Sequence, residues 1–225
     1  MSHGLVAVVF DLDDTLTDHG HVGPQVTEEI LRLVAGHVPD EEREAFVARH
    51  DASLEPLYDR LIRGELDEDT YQRERLSHAL APWGRPDGVT AEEYARVKRR
   101  LAEEVRPAPG AHAAVAAVKR AGLRVGVLTN GLTDLQRDKL ERIGLAGEVD
   151  AFAPSQAIGA IKPEPEAFAA VARMLGARPD QLAMIGDNPV NDVDGARTAG
   201  WAHAILVGGP DGATLADAVA RLGLG

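Results

Sequence analysis

The sequence contains no cysteine, which excludes disulfide bonds, thiolate metal sites and cysteine nucleophiles and is typical of a reducing compartment. Long apolar runs are also missing, and no stretch approaches the ~20 apolar residues that a helix needs to cross a bilayer. The first apolar run, residues 5–10, is too short for an export signal and has no basic flank. These absences predict a soluble, cytoplasmic globular protein with no membrane partner.

Basic residues are too few to balance the acidic ones, since 24 Lys and Arg stand against 36 Asp and Glu, for a formal net charge of −12. Binding to a nucleic-acid polymer needs clustered basic side chains that neutralise phosphates, so this composition argues against such a partner. A small phosphorylated ligand is compatible with it if local cations hold the phosphate. Only four of the basic residues are lysines, so a lysine in a rigid setting is a candidate functional residue.

Five apolar segments predict β-strands: residues 5–10, 123–128, 149–153, 181–185 and 202–207. Helical segments follow at residues 112–121, 133–143, 165–175 and 190–199, and each is bounded by a glycine. The helix from residue 133 is predicted to open with a capping box, Thr133-x-x-Gln136. Alternation of strands and helices predicts an α/β fold, a parallel sheet with helices on both faces.

More than a hundred residues separate the first predicted strand from the second, although a parallel crossover needs only about a dozen. Residues 18–105 are rich in charge and poor in β-branched runs, and their turn signals predict a set of helices. Thr90-x-x-Glu93 predicts a capping box at the start of the last of these helices. We therefore predict a core formed by residues 1–17 and 106–225, interrupted by a small all-α domain of residues 18–105.

Two carboxylates, Asp11 and Asp13, follow the first predicted strand. Ligands of open α/β sheets bind at the carboxyl ends of the strands, and a turn there lets both carboxylates face one bound group. Like charges a few Å apart raise each other's pKa unless a cation offsets them, so the pair predicts a hard divalent cation. The alternative is an acidic turn in which the aspartates accept backbone N–H groups.

Two further polar motifs occur later in the chain. The second predicted strand ends in Thr129-Asn130-Gly131, a hydroxyl and an amide followed by a glycine that lets the backbone approach a ligand closely. Lys162 lies between an apolar segment and two prolines, and its compact ammonium suits contact with both a phosphoryl oxygen and a carboxylate. The alternatives are an ordinary turn and a solvated surface lysine.

Two more acids, Asp187 and Asp192, follow the fourth predicted strand. Asp187 at the strand end can bind a metal directly, and Asp192 in the first helical turn can bind the metal or orient its water ligands. Helix capping is the alternative for Asp192, because acids are common near helix N-termini.

These motifs resemble, in the same chain order, those of the haloacid dehalogenase-like (HAD) hydrolase superfamily: Asp11-x-Asp13-x-Thr15, Leu128-Thr129-Asn130, Lys162-Pro163 and Gly186-Asp187-(x)4-Asp192. The resemblance implies a Rossmann-like core with a helical cap inserted after the first motif. In its position the insertion is similar to the cap of the group that contains phosphoglycolate phosphatases, 5′-nucleotidases and N-acylneuraminate-9-phosphatases. The implied activity is Mg²⁺-dependent hydrolysis of a small phosphorylated metabolite.

The resemblance also implies a role for each residue that reacts with or binds the phosphoryl group. Asp11 is the implied nucleophile, which forms an aspartyl-phosphate. Asp13 is the implied acid and base, which protonates the leaving oxygen and then activates water. Lys162 is implied to neutralise charge on the transferring group, while Thr129 and the backbone N–H of Asn130 bind its oxygens.

The implied Mg²⁺ ligands are the Asp11 carboxylate, the Asp13 backbone carbonyl and Asp187, with Asp192 supporting the water ligands. Asp13 favours a phosphatase over a 2-haloacid dehalogenase, because family members that remove halide lack this second aspartate. The motifs leave open a phosphosugar mutase, which shares all four of them, and a phosphoryl-binding protein without turnover. We expect a monomer or homodimer, and His19 and His21 are candidate substrate contacts beside the cap.

Overall fold

The computed structural model describes residues 4–18, 22–84, 90–209 and 212–225, so the candidate substrate contacts His19 and His21 lie outside the described residues. The chain divides into two compact units. One unit comprises Met1–His19 and Val105–Gly225, and the other comprises Gly20–Glu104. In the part of the chain that the structure describes, no helix combines the length and the apolar character needed to cross a membrane.

The first unit is built on a parallel sheet. Its strands are β1 (Ala7–Phe10), β2 (Thr17–Asp18), β3 (Arg106–Pro107), β4 (Arg124–Thr129), β5 (Ala151–Pro154), β6 (Leu182–Gly186) and β7 (His203–Leu206). Within the described residues, five strands form one sheet in the order β5-β4-β1-β6-β7, with every neighbouring pair parallel. β2 and β3 form a separate antiparallel pair.

The helices are divided between the two units. The second unit contains α1 (Gly23–Leu33), α2 (Arg43–Ala52), α3 (Leu54–Ile62), α4 (Glu68–Leu80) and α5 (Ala91–Glu103). The first contains α6 (Ala111–Arg120), α7 (Thr133–Arg142), α8 (Ser155–Ile158), α9 (Pro165–Met174), α10 (Gly195–Thr198) and α11 (Leu215–Arg221). A π-helical turn, Pro189–Asp194, precedes α10.

Both faces of the sheet are covered, which explains why its strands are continuously apolar. Val8 and Phe10 of β1 pack in one core with side chains of α6, α7 and α11. Ala7 and Val9 point to the opposite face and pack in a second core with side chains of α9 and α10. The α/β fold with helices on both faces, predicted from the alternation of strands and helices, is confirmed.

Local signals predicted the capping of one helix correctly, but they predicted the capping of a second helix and the type of a third helix at its start incorrectly. The capping box before α5 is confirmed, since Thr90 N donates to Glu93 Oε2 and Glu93 N donates to Thr90 Oγ1. The capping box Thr133-x-x-Gln136 is wrong, because Thr133 N donates to Gln156 Oε1 at 2.9 Å and the α7 cap has no side-chain hydrogen bond. The helix predicted over residues 190–199 begins as the π-helical turn and becomes α-helical only at Gly195.

The second unit is helical and has its own apolar core. Val26 and Ile30 of α1 are buried four residues apart, so they lie on one face of the helix and pack with side chains from α2, α4 and α5. Buried polar groups accompany this core: His50 Nε2 and Tyr94 Oη are 2.5 Å apart, and Arg75 donates to the His50 carbonyl at 3.2 Å. These hydrogen bonds offset part of the cost of burying the His50, Tyr94 and Arg75 side chains.

Gly195 lies where α10 packs most closely against α9. A Cβ at this position would lie 2.6 Å from the ring of Phe168 and 3.2 Å from Pro163 Cβ. We expect Gly195→Ala to lower the free energy of unfolding by about 1–3 kcal/mol, measured by urea titration, because the ring is fully buried. Gly147→Ala is the matched control, since nothing lies within 4 Å of its added Cβ. Similar losses in the two variants would contradict this account of the packing.

Candidate active site

The candidate site begins at the carboxyl end of β1, where the chain turns at once. The Leu12 carbonyl accepts hydrogen bonds from Leu16 N at 3.0 Å and Thr17 N at 2.9 Å. Asp14 within this turn has a φ of 58°, a left-handed conformation that aspartate tolerates better than most residues with a side chain. The turn ends the strand pleat, and both Asp11 and Asp13 line one cavity of about 210 Å³.

The strand order explains why distant motifs meet at this cavity. β4 and β6 are the two neighbours of β1, so the residues that follow all three strands lie at the same edge of the sheet. The structure brings together every residue that the sequence suggested for catalysis, phosphate binding or metal binding: the cavity is lined by Asp11, Asp13, Asp14, Thr129, Asn130, Lys162, Asp187, Asn188, Asn191 and Asp192.

Lys162 is buried between two carboxylates. It is only 4% exposed, and its Nζ lies 2.5 Å from Asp11 Oδ1 and 2.6 Å from Asp192 Oδ1. Burial alone lowers the pKa of Lys162, but the charges of Asp11 and Asp192 outweigh burial and raise that pKa above its ordinary value. Lys162 is therefore an ammonium held inside the site, and the alternative of a solvated surface lysine is wrong.

The side chain of Asn130 fixes the loop that carries Lys162. Asn130 Oδ1 accepts hydrogen bonds from Lys162 N at 2.8 Å and Ser155 Oγ at 3.0 Å, and its Nδ2 donates to the Lys162 carbonyl at 3.0 Å. The Thr129-Asn130 motif thus positions the lysine as well as lining the cavity. Sequence reasoning assigned neither this role to the Asn130 amide nor any role to Ser155.

Asp192 reaches the site because a glycine lies beside it. A Cβ on Gly186 would lie within 2.3 Å of Asp192 Cγ, so a larger residue would displace the carboxylate. Asp192 is fully buried, and its Oδ2 accepts a hydrogen bond from Asn188 N at 3.0 Å. The helix-capping alternative for Asp192 holds in part: Asn188 is the N-cap of the following turn, and Asp192 accepts its N–H, while Asn188 Oδ1 accepts from the N–H groups of Val190 and Asn191.

Three carboxylates in the cavity fit a divalent cation. Asp11, Asp187 and Asp192 each offer an oxygen, and these oxygens lie within 4.8 Å of one another. Burial raises the pKa of Asp11 to about 8 against the opposing effect of Lys162, and burial with the nearby charge of Asp192 raises the pKa of Asp187 to about 6. The ionised site thus has more negative charge than one ammonium offsets. Oxygen ligands and excess negative charge are what Mg²⁺ requires.

Sequence reasoning missed two residues beside the cavity, Gln136 and Lys139 of α7. Lys139 Nζ lies 2.7 and 2.9 Å from the two carboxylate oxygens of Asp13. Gln136 Nε2 donates to Asp13 Oδ2 at 2.9 Å and to Thr129 Oγ1 at 2.5 Å. Their spacing of three residues places both on one face of the helix, and the scarcity of lysine was the available signal.

Gly131 has a packing role that the sequence did not suggest. The sequence suggested that this glycine lets the backbone approach a ligand. In the structure a Cβ on Gly131 would lie 2.3 Å from Gln136 Cγ, so the glycine makes room for the Gln136 side chain.

Comparison with known proteins identifies the family of this chain. The sequence matches the haloacid dehalogenase-like hydrolase family over residues 5–200. Phosphoserine phosphatase from Thermus thermophilus is 32% identical over 216 residues, which cover 86% of this chain and 85% of that relative. Glyceraldehyde 3-phosphate phosphatase from Methanothermobacter thermautotrophicus is 31% identical over 207 residues, 90% of this chain and 85% of the relative.

A solved structure supports the same assignment. The crystal structure of a HAD phosphatase from Thermococcus onnurineus matches with a TM-score of 0.66 and 25% sequence identity, covering 97% of this chain and 98% of that one. The chain belongs to the haloacid dehalogenase-like hydrolase family, and the resemblance drawn from its four motifs is confirmed.

Proposed function

We propose that this protein is a Mg²⁺-dependent phosphatase, which hydrolyses the phosphate monoester of a small metabolite through an aspartyl-phosphate on Asp11. The observation that carries the proposal is the burial of Lys162 between Asp11 and Asp192, beside a further carboxylate, Asp187. A carboxylate suited to act as nucleophile, a fixed positive charge and carboxylates suited to bind a metal thus lie in one cavity, which supports the proposal. The named relatives act on small phosphorylated molecules, which supports the proposed substrate class.

In the first half of the proposed reaction, a carboxylate oxygen of Asp11 attacks phosphorus and the ester bond to the leaving oxygen breaks. Asp13 gives its proton to that oxygen, so the product leaves as an alcohol. In the second half, Asp13 takes a proton from water, the water oxygen attacks phosphorus, and phosphate leaves as the Asp11 carboxylate re-forms. Lys162 stabilises the charge that develops on the phosphoryl oxygens, and the Thr129 hydroxyl binds one of them.

The metal site follows from the same residues. Asp11, Asp187 and the Asp13 backbone carbonyl would hold Mg²⁺, with Asp192 supporting its water ligands. Bound Mg²⁺ supplies positive charge that favours attack on an anionic ester. Asp13 favours ester hydrolysis over removal of halide, because an alkoxide needs a proton on leaving and a halide does not. We further propose that residues 18–105 are the cap domain, which selects the leaving group.

The test is phosphate release from a panel of phosphorylated metabolites and 4-nitrophenyl phosphate, with Mg²⁺ and after metal removal by EDTA. We expect release with Mg²⁺ and a loss of about 10²-fold or more without it, because the metal offsets several kcal/mol of developing charge. Restored activity on adding Mg²⁺ back is the control for damage by the chelator. Halide release from 2-chloropropionate, or isomerisation of a sugar phosphate without phosphate release, would instead indicate a dehalogenase or a mutase. A folded protein that releases no phosphate from any ester contradicts the proposal.

A further inference from the structure

The Asp13 carboxylate is held by two side chains of α7 that belong to none of the four motifs. Lys139 Nζ donates to both Asp13 oxygens, at 2.7 and 2.9 Å, and Gln136 Nε2 donates to one of them at 2.9 Å. Asp13 is far from both residues in sequence, since it precedes Lys139 by 126 positions. This contact is therefore a product of the fold and not of a local turn.

Lys139 and Gln136 are placed to act on Asp13 and not on a ligand. Lys139 is only 7% exposed and Gln136 only 1%, and neither lines the cavity. Asp13 does line the cavity, and its side chain is 34% exposed. A ligand in the cavity can thus meet Asp13, while Lys139 and Gln136 support the carboxylate from behind.

The position of the Gln136 side chain lowers the folding stability of the protein. Gln136 Oε1 is buried and has no hydrogen-bond partner among the described residues, and an unpaired buried acceptor lowers folding stability. A Cβ on Gly131 would collide with Gln136 Cγ, so the side chain also depends on a glycine at that position.

Gln136 also links two residues of the site. Its Nε2 donates to Thr129 Oγ1 at 2.5 Å as well as to Asp13 Oδ2. Because the amide is a rigid plane, this pair of contacts fixes the separation between the Asp13 carboxylate and the Thr129 hydroxyl.

We propose that Gln136 and Lys139 are positioning residues, which hold the Asp13 carboxyl group in register with the Thr129 hydroxyl, so that Asp13, once it has taken up a proton, can transfer it to the leaving oxygen. The inference rests on the proposed phosphatase function. Proton transfer requires the donor to lie within hydrogen-bond reach of the leaving oxygen, and a misplacement of about 1 Å costs about 10²-fold in rate. Removing either residue should therefore lower kcat/KM most for esters whose leaving oxygen needs a proton.

The experiment compares phenyl phosphate with 4-nitrophenyl phosphate, esters of similar size. Nitrophenolate leaves without a proton. Phenolate is a poorer leaving group, so its oxygen needs a proton from Asp13. We expect Lys139→Met to lower kcat/KM for phenyl phosphate by about 10²-fold and for 4-nitrophenyl phosphate by less than about tenfold. Gln136→Met should show the same selectivity without a lower Tm, because it removes the unpaired amide oxygen. Lys139→Arg, which keeps the charge, should recover part of the loss.

Lys119→Met is the matched control, because Lys119 lies on α6 with a side chain 38% exposed and pairs with Glu148 away from the cavity. A crystal structure of Lys139→Met provides a readout that does not depend on turnover, and we expect the Asp13 carboxylate to be displaced. Equal losses for the two esters, or an Asp13 carboxylate that has not moved, would overturn the inference. If Lys139→Met does not fold, Gln136→Met and Gly131→Ala test the same contact. If the wild-type protein hydrolyses neither aryl ester, the esters of the metabolite panel take their place. A wild-type protein that releases no phosphate from any ester contradicts the proposed function instead, and the crystal structure still decides whether Lys139 positions Asp13.

Discussion

Asp11→Asn is expected to abolish phosphate release, lowering kcat by about 10⁴-fold or more, the scale of loss when an enzyme is deprived of its nucleophile. The asparagine amide cannot supply the anionic oxygen that attacks phosphorus, so no aspartyl-phosphate forms. Steady-state phosphate release measures the loss, and mass spectrometry of the protein after rapid quenching detects the phosphorylated intermediate in the wild type. The variant should show no such intermediate.

The fold of Asp11→Asn should persist. Burial raises the pKa of Asp11 to about 8, well above that of an aspartate in the unfolded chain, so at neutral pH this carboxyl group must take up a proton as the metal-free chain folds, which lowers stability. Asparagine needs no proton and keeps the size of the side chain, and Lys162 keeps its ion pair with Asp192. The metal-free variant should therefore have a Tm equal to or above that of the wild type. Asp134→Asn, at an exposed position of α7, is the control, and an Asp11→Asn variant that retains more than a tenth of the rate would exclude Asp11 as nucleophile.

The core of the fold could be predicted from the sequence because its signals are local. An apolar run that ends in carboxylates gives the position of β1, and glycines after the helical segments give the ends of α6, α7 and α9. The meeting of the motifs follows from one general rule, that the carboxyl ends of neighbouring parallel strands share an edge. The resemblance to a family then supplied the partner that no local rule provides, since Lys162 and Asp11 are 151 positions apart.

The contacts that Gln136 of α7 makes with the site could not be predicted, because local sequence rules favour a capping box for this residue instead. Gln136 stands three residues after a threonine, a spacing typical of a capping box. In the folded protein its amide has two stronger partners, the Asp13 carboxylate and the Thr129 hydroxyl, and Gln156 satisfies the helix N-terminus instead. Tertiary contacts therefore override the local preference at the position where the helix adjoins the site.

The turn before α10 was mispredicted for a related reason. Asp192 is held inward by Lys162 and by the backbone N–H of Asn188, and Gly186 leaves the space for it. This inward position coincides with a π-helical turn from Pro189 to Asp194 where the sequence pattern favours a regular helix. π-Helical turns are frequent at functional sites, because they reorient a side chain that a regular helix would direct elsewhere.

Lys162→Met should cause the second-largest loss, about 10²–10³-fold in kcat/KM, the effect of removing one preorganised electrostatic group. The Lys162 ammonium lies 2.5 Å from Asp11 and 2.6 Å from Asp192, so it is already in place before charge develops on the phosphoryl oxygens. Lys162→Arg should be nearly as poor, because the guanidinium is larger and planar and does not fit a site shaped for a point charge. Lys119→Met controls for the substitution itself, and an unchanged kcat/KM in Lys162→Met would exclude Lys162 from the reaction.

Lys162→Met should also lower the stability of the protein. This loss must be separated from the loss of rate, because Lys162 both stabilises the fold and acts on the phosphoryl group. Without its ammonium, Asp11 and Asp192 are buried together with no counter-charge, and the free energy of unfolding should fall by about 3–5 kcal/mol. Asp192→Asn added to Lys162→Met removes one of these charges and should recover much of the stability, measured by urea titration with EDTA present. It should recover none of the rate, because the phosphoryl group still lacks its cation. Recovery of both together would mean that Lys162 acts only by holding the fold.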